Sequence, residues 1–221
     1  MGALGYALFN ALFYVSGHYT RAINIGILQG SIPVFVLLGS FIAFQTRISS
    51  LQTIGVLVTI LGVCTVSFGG YGLDEAAFTF AIGDILMLVA CILYAGYTIG
   101  LRKRPSCSSV GLFTILALSA LLTSIPITAG EYALGNLQWP TPKGWIVVGL
   151  VTIFPSFVAQ IFFIKGVETI GPGRAGVFVN LVPIFAAILA VAVLNEPFEV
   201  SHAAALVLVL GGIYLSERSK G

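Results

Sequence analysis

Asn10, Gln29, Gln160 and Asn180 are side-chain amides inside apolar stretches of this chain. An amide in apolar surroundings must find hydrogen-bond partners, on a neighbouring helix or on a bound molecule. Two of them neighbour prolines, Gln29 ahead of Pro33 and Asn180 ahead of Pro183. A proline inside a helix removes one backbone donor and frees the carbonyl four residues earlier. Here those carbonyls belong to Gln29 and Val179. Freed backbone persists in an apolar medium only where protein or a water-filled cavity satisfies it. Tyr14, one turn from Asn10, adds a hydroxyl and a ring face, as do Tyr94 and Tyr97. Such a set suits non-covalent recognition of a small solute by hydrogen bonds and stacking, with no fixed charge. The competing use of each amide is a plain bond between helices, worth about 1 kcal/mol.

Bond-making chemistry has no comparable set. An intramembrane enzyme needs a nucleophile with a base, or a metal cluster, at shared depth. His18 and His202 fall at the edges of apolar runs, and no Asp or Glu joins them in the middle of one. The chain is therefore read as a non-enzyme with no cofactor. Cys64, Cys91 and Cys107 show no CxxC pair and no metal spacing. Gly171-Pro-Gly-Arg-Ala-Gly fits GxGxxG. That pattern carries meaning only after a strand in a βαβ unit, so it is read as a turn entering a helix. Gly26/Gly30 and Gly96/Gly100 fit GxxxG and are assigned mainly to internal helix packing. Asp84 is the one candidate for a proton relay, with capping of its own helix as the alternative.

The elements that must position these groups are membrane helices. Charged residues make up 8% of the chain and hydrophobic ones 58%, with mean hydropathy +1.06. A soluble domain carries about 25% charged residues because its surface faces water. This surface must face lipid instead. A net charge of +2, with no basic stripe, excludes nucleic acid as a partner. Apolar runs near the ~20 residues of a bilayer crossing predict helices at 2–18, 22–44, 51–69, 80–101, 110–129, 144–165, 174–194 and 201–216. The first run lacks the positive region of a signal peptide and is read as a retained span. Arg47, Arg102, Lys103, Arg104, Lys165, Arg174, Arg218 and Lys220 fall on one face, Arg21 and Lys143 on the other. Loops rich in Lys and Arg stay cytoplasmic, so both termini are expected inside. The default membrane is a bacterial inner membrane.

Shifted by 150 residues, the chain matches itself without a gap. Gly26 falls on Gly176, Pro33 on Pro183, Phe35 on Phe185, Phe13 on Phe163 and Gly62 on Gly212, with Asn10 on Gln160. The shift equals five helices, an odd number, so the two copies cross in opposite directions. Inverted repeats of this kind mark secondary transporters. Residues 1–69 form three helices of a first repeat, 70–79 a connection, and 80–217 a second repeat of five. The first repeat thus shows two helices fewer than the second.

The runs Gly173-Arg-Ala-Gly-Val-Phe-Val-Asn-Leu-Val-Pro-Ile-Phe, Leu194-Asn-Glu-Pro-Phe and Leu210-Gly-Gly-Ile-Tyr-Leu resemble the end of an EamA-type repeat. Gly83-Asp84-Ile-Leu, Tyr94-Ala-Gly-Tyr and Arg102-Lys-Arg resemble its start. The resemblance covers essentially the whole chain and points to the drug/metabolite transporter superfamily. It implies ten helices as two inverted five-helix repeats around a central cavity. The acidic residue usual before the last helix of each repeat matches Glu196, whereas Thr46 stands at the equivalent place in the first repeat. The expected fold is thus an all-α membrane protein of eight helices, its first repeat truncated to three. The expected function is secondary transport of a small organic solute by alternating access. The alternatives are a structural or regulatory membrane subunit, or a truncated inactive transporter. Expected partners are the solute and the bilayer, with a homodimer or a second protein to supply the two missing helices.

Overall fold

The computed structural model describes residues 1–45, 48–69, 81–101, 108–135, 137–170 and 181–218. All regular structure among the described residues is helical. The chain opens with a wide helical turn, Ala3–Leu8, continued by α1 (Phe9–Ser16). Then follow α2 (Ala22–Gln29), α3 (Ile32–Phe44), α4 (Ser50–Gly69) and α5 (Ile82–Gly100). Next come α6 (Ser109–Ala133), α7 (Pro142–Ile153), a wide turn Phe154–Val158, and α8 (Ala159–Ile170). The last are α9 (Val182–Leu194) and α10 (Val200–Arg218). Six of the helical stretches described are long and apolar enough to cross a membrane: Ala22–Phe44, Ser50–Ser67, Ile82–Gly100, Val110–Ala133, Pro142–Phe163 and Val200–Arg218. Ala3–Ser16 and Val182–Leu194 are shorter apolar helices. Each of the eight overlaps one run expected from the sequence, and four of them pass an expected boundary: Ser50–Ser67, Val110–Ala133, Pro142–Phe163 and Val200–Arg218.

The chain divides into two compact units. One comprises Ala3–Lys103 with Asn180–Gly221, the other Arg104–Val179. In the first, Ile23, Ile27, Leu28, Met87, Ala90, Cys91, Val209 and Ile213 form a sealed apolar core where α2, α5 and α10 meet. In the second, Phe113 of α6 stacks edge-on against Phe157, ring centres 5.9 Å apart. Its Pro142–Phe163 stretch is strongly apolar and buries none of its spanning segment inside the protein, as suits a helix facing lipid. Pro155 cannot donate a backbone hydrogen bond, and the helix widens there by one residue per turn.

Backbone-to-backbone closeness is greatest between α4 and α10, which run antiparallel. A Cβ on Gly212 would lie 2.5 Å from the Gly55 carbonyl oxygen and 2.7 Å from the Thr59 nitrogen. A Cβ on Gly62 would lie 2.9 Å from the Val209 nitrogen and 3.0 Å from the Ala205 oxygen. Small residues permit such contact where no hydrophobic effect drives helices together. The two glycines are 150 positions apart and make reciprocal contacts, each on the other's helix. A second reciprocity was not legible beforehand. Among the described residues, the non-glycine positions in the left-handed region are Gln45 (φ 52°) and Asn195 (φ 55°), again 150 apart. Each ends the short helix that follows a proline.

One expectation needs correction. Pro33 and Pro183 do not interrupt helices from within; each lies in the first turn of a new one, α3 and α9. Proline is welcome there because its fixed φ suits the helix and its missing donor has no partner to lose. On the α2–α3 side the chain breaks at Gly30-Ser31. The backbone N–H of Ser31 and its hydroxyl both donate to the Leu28 carbonyl, at 2.9 and 2.7 Å. The Cys91 thiol adds a longer contact at 3.6 Å. Protein thus satisfies the Leu28 carbonyl at the break.

Candidate functional site

The end of α1, α2 and α9 line an open-sided cavity of about 470 Å³. Phe13, Tyr14 and Gly17 line it from α1 and its end, Ala22, Ile25, Gly26 and Gln29 from α2, and Ala186, Leu189, Ala190, Val193 and Leu194 from α9. Its wall is almost wholly apolar, with the Tyr14 hydroxyl and the Gln29 amide as polar points. Small residues make the room. A Cβ on Gly26 would come within 2.4 Å of the Ala186 Cβ, so α2 and α9 touch beneath the cavity. Gly30 likewise meets Val209 and Pro183, so the Gly26/Gly30 pair packs internally.

Tyr14 ends a continuous aromatic ladder. Its ring lies 5.4 Å from Phe13, which is 5.9 Å from Phe9. Phe9 is 5.0 Å from Tyr94, Tyr94 is 5.4 Å from Tyr97, and Tyr97 is 5.6 Å from Tyr6. Offset and edge contacts in this range are favourable for aromatic pairs. Tyr94 and Tyr97 therefore reach the cavity through other rings and do not line it. Asn10 lies beside the ladder, but its Nδ2 donates to the Tyr6 carbonyl of its own helix at 2.6 Å. Gln160 is half-buried on α8 in the other unit. Asn180 lies outside the described residues, as do Thr46, the 70–79 connection, Cys107 and the Gly171–Gly176 motif.

At the α1–α2 junction, four consecutive residues are held by three carboxylates. The Thr20 hydroxyl donates to Asp84 Oδ1 at 2.6 Å. Arg21 pairs with Glu199 at 2.5 Å. The backbone N–H groups of Ala22 and Ile23 donate to the two Glu196 oxygens, at 2.8 and 2.9 Å. Glu196 thereby caps α2 with negative charge at the positive end of the helix dipole. The Arg21 guanidinium holds the Glu199 carboxyl below the usual carboxylate range. His202 is fully buried, and its Nδ1 accepts the Glu199 backbone N–H at 3.0 Å. Spacing along the chain does not show what these residues hold.

Asp84 does not cap its own helix. Its side chain turns instead to Thr20, and the residue is fully buried. Burial this complete could not be read from its place at a span edge. No group of three or more His, Cys, Asp or Glu able to hold a metal occurs among the described residues.

Similarity to known proteins agrees with this architecture. The uncharacterized transporter YetK of Bacillus subtilis is 27% identical over 96% of this chain and 64% of its own length. The uncharacterized inner membrane transporter YedA of Escherichia coli is 24% identical over 86% of this chain and 60% of its own. The chain thus spans about two thirds of the length of these relatives. One solved crystal structure superposes with a TM-score of 0.62 at 16% identity, covering 97% of this chain and 75% of that one. At that identity the likeness speaks for the fold alone. Residues 81–218 match the EamA-like transporter family, and the chain, a multi-pass integral membrane protein, belongs to that family.

Proposed function

We propose that this protein carries a small, mainly apolar organic solute across the membrane, bound in the cavity between α1, α2 and α9. The observation that carries this reading is the make-up of that wall: ten apolar or small residues with two polar points, Tyr14 and Gln29. Such a site favours a solute with an apolar body and one or two hydrogen-bonding groups. The absence of a charged lining residue argues against a strongly ionic one. The helices that line the cavity come from both proposed repeats, 1–69 and 80–217. Reciprocal glycine contacts and left-handed helix ends 150 residues apart support that division. Alternating access then follows from rocking one repeat against the other.

The test compares solute profiles of cells and medium in strains overproducing wild type or the Tyr14→Phe/Gln29→Leu variant at matched membrane levels. At least one organic solute should be redistributed by the wild type. The variant should weaken that effect roughly five- to tenfold, the worth of one hydrogen bond of about 1–1.4 kcal/mol. Identical profiles for wild type, variant and empty membranes would discard the transport reading in favour of a structural membrane subunit.

A further inference from the structure

The hydroxyls on these helices follow a rule. Thr59 and Thr65 on α4 donate to the carbonyls of Gly55 and Leu61 at 2.9 and 2.8 Å, and Thr98 on α5 to that of Tyr94 at 2.9 Å. Bonding back four residues is how a hydroxyl satisfies itself without water. Ser67, 1% exposed on the same α4, breaks the rule: its Oγ has no partner. It neighbours the Asp84 carboxyl without closing a well-formed bond to it, as does the Asn24 amide. Asn24, 7% exposed, donates Nδ2 to Thr20 Oγ1 at 3.3 Å and leaves its Oδ1 without a donor. Asp84 Oδ2 is buried and unpartnered too.

Asn24 of α2 and Ser67 of α4, each with an unpartnered buried oxygen, therefore flank one carboxyl of α5 whose Oδ2 is unpartnered and whose Oδ1 accepts from Thr20. The Ser67 O–H and the second N–H of Asn24 Nδ2 are the donors left for the carboxyl, and neither carries a positive charge. A carboxylate left so in an apolar interior is costly unless a positive charge joins it. Among the described residues, no side chain on the elements packed against α5 supplies one. The elements packed against α5 are the opening turn, α1, α2 and α3. With α4 and α5 itself, they offer Tyr6, Tyr14, Cys64, Cys91, Tyr94 and Tyr97, side chains that carry no positive charge in either protonation state. His202 of α10, packed against α2 and α4, accepts the Glu199 N–H at Nδ1, so that nitrogen bears no proton, and its Nε2 is buried without a partner. Arg21, next to Thr20, is engaged by Glu199.

We propose that Thr20, Asn24, Ser67 and Asp84 form a binding site for one small monovalent cation. It is taken up either as a proton on Asp84 Oδ2 or as a sodium ion among the four oxygens. As a proton, it turns Oδ2 into a donor to Asn24 Oδ1 and leaves the Ser67 hydroxyl free to donate to the carboxyl. As sodium, it draws on the carboxylate, the amide oxygen and both hydroxyls. The site joins α2, α4 and α5 to the α1–α2 junction beside the cavity, so its occupancy is placed to bias the junction's position. The proposal does not rest on the solute reading, since its test needs no solute.

That test uses the full chain, purified in detergent and treated with dicyclohexylcarbodiimide, which modifies protonated carboxyls in apolar surroundings. The adduct on Asp84 is mapped by mass spectrometry in choline chloride and in sodium chloride. An adduct in both salts, lost in Asp84→Asn, assigns the proton. An adduct in choline that sodium suppresses assigns the sodium ion, as does a sodium-dependent rise in melting midpoint that Asp84→Asn and Ser67→Ala abolish. Asp84→Asn can keep the Thr20 bond, and its monodisperse elution verifies the fold. No Asp84 adduct in either salt, with melting indifferent to sodium in the wild type, overturns the proposal.

Discussion

Glu196 and Glu199 stand three residues apart and are both half-buried, yet their partners make them unequal. Glu196 takes two backbone donors from the first turn of α2, groups with no other partner inside the helix. Glu199 takes a side chain that water could serve equally well. Glu196→Ala should therefore cost about 1–2 kcal/mol, the range for a lost helix cap, read as a lower melting midpoint in detergent. Arg21→Gln should cost about 0.5 kcal/mol or less in the same assay, because exposed ion pairs contribute little. The sign of the pH effect follows from the lowered Glu199 carboxyl. Its small contribution is present above the ordinary carboxylate range and fades as pH falls through the folded value. Equal losses for the two variants would remove the distinction. The family resemblance pointed to Glu196 as a residue of interest, but its task was hidden. A cap supplied from 173 residues away leaves no trace in local spacing. Asp84 was hidden for the same reason, since its burial depends on Thr20 and Ser67, which only folding brings to it.

The elements were far more legible than the contacts between them. Length and hydropathy alone located all eight apolar helices, because a bilayer imposes a minimum run of apolar residues. The proline pair was also legible, but its role was not. Sequence shows that Pro33 and Pro183 are in register, and only the backbone shows that the α2–α3 break falls upstream of Pro33 and that each proline lies in the first turn of a helix. The glycine register behaves similarly: identity at positions 62 and 212 was visible, reciprocal contact was not. That contact yields a test with a built-in control. Gly212→Ala places a methyl group against backbone atoms of α4, which cannot rotate away, and should cost about 1–3 kcal/mol as overpacking does. Gly211→Ala, one residue earlier, meets nothing within 4 Å and should leave the melting midpoint unchanged or slightly raised. If both variants melted alike, the α4–α10 crossing would not be the close contact described.

For the whole molecule, the remaining question is which way it faces. The Lys and Arg count favours one face by eight to two, and most of those eight lie outside the described residues. Position near span ends is enough for them to act, since the positive-inside bias depends on loop charge and not on folded contacts. Arg21 is the dissenting charge, close after the first apolar helix with no positive residue before it. In the folded molecule it is paired with Glu199, so keeping it on the outer face costs little once the chain has folded. Parity gives a second line of argument. Six helices are long enough to cross and two are shorter. The 150-residue register pairs the shorter helices with two of the long ones, Ala3–Ser16 with Pro142–Phe163 and Val182–Leu194 with Ala22–Phe44, so both are expected to cross and the number to be eight. We therefore expect both ends on the cytoplasmic face. With a short epitope tag at each end, both tags should resist protease in right-side-out vesicles and both should be cut in inside-out ones. Tags cut in opposite preparations would mean an odd number of crossings, and the assignment of the repeats to opposite orientations would fall with it.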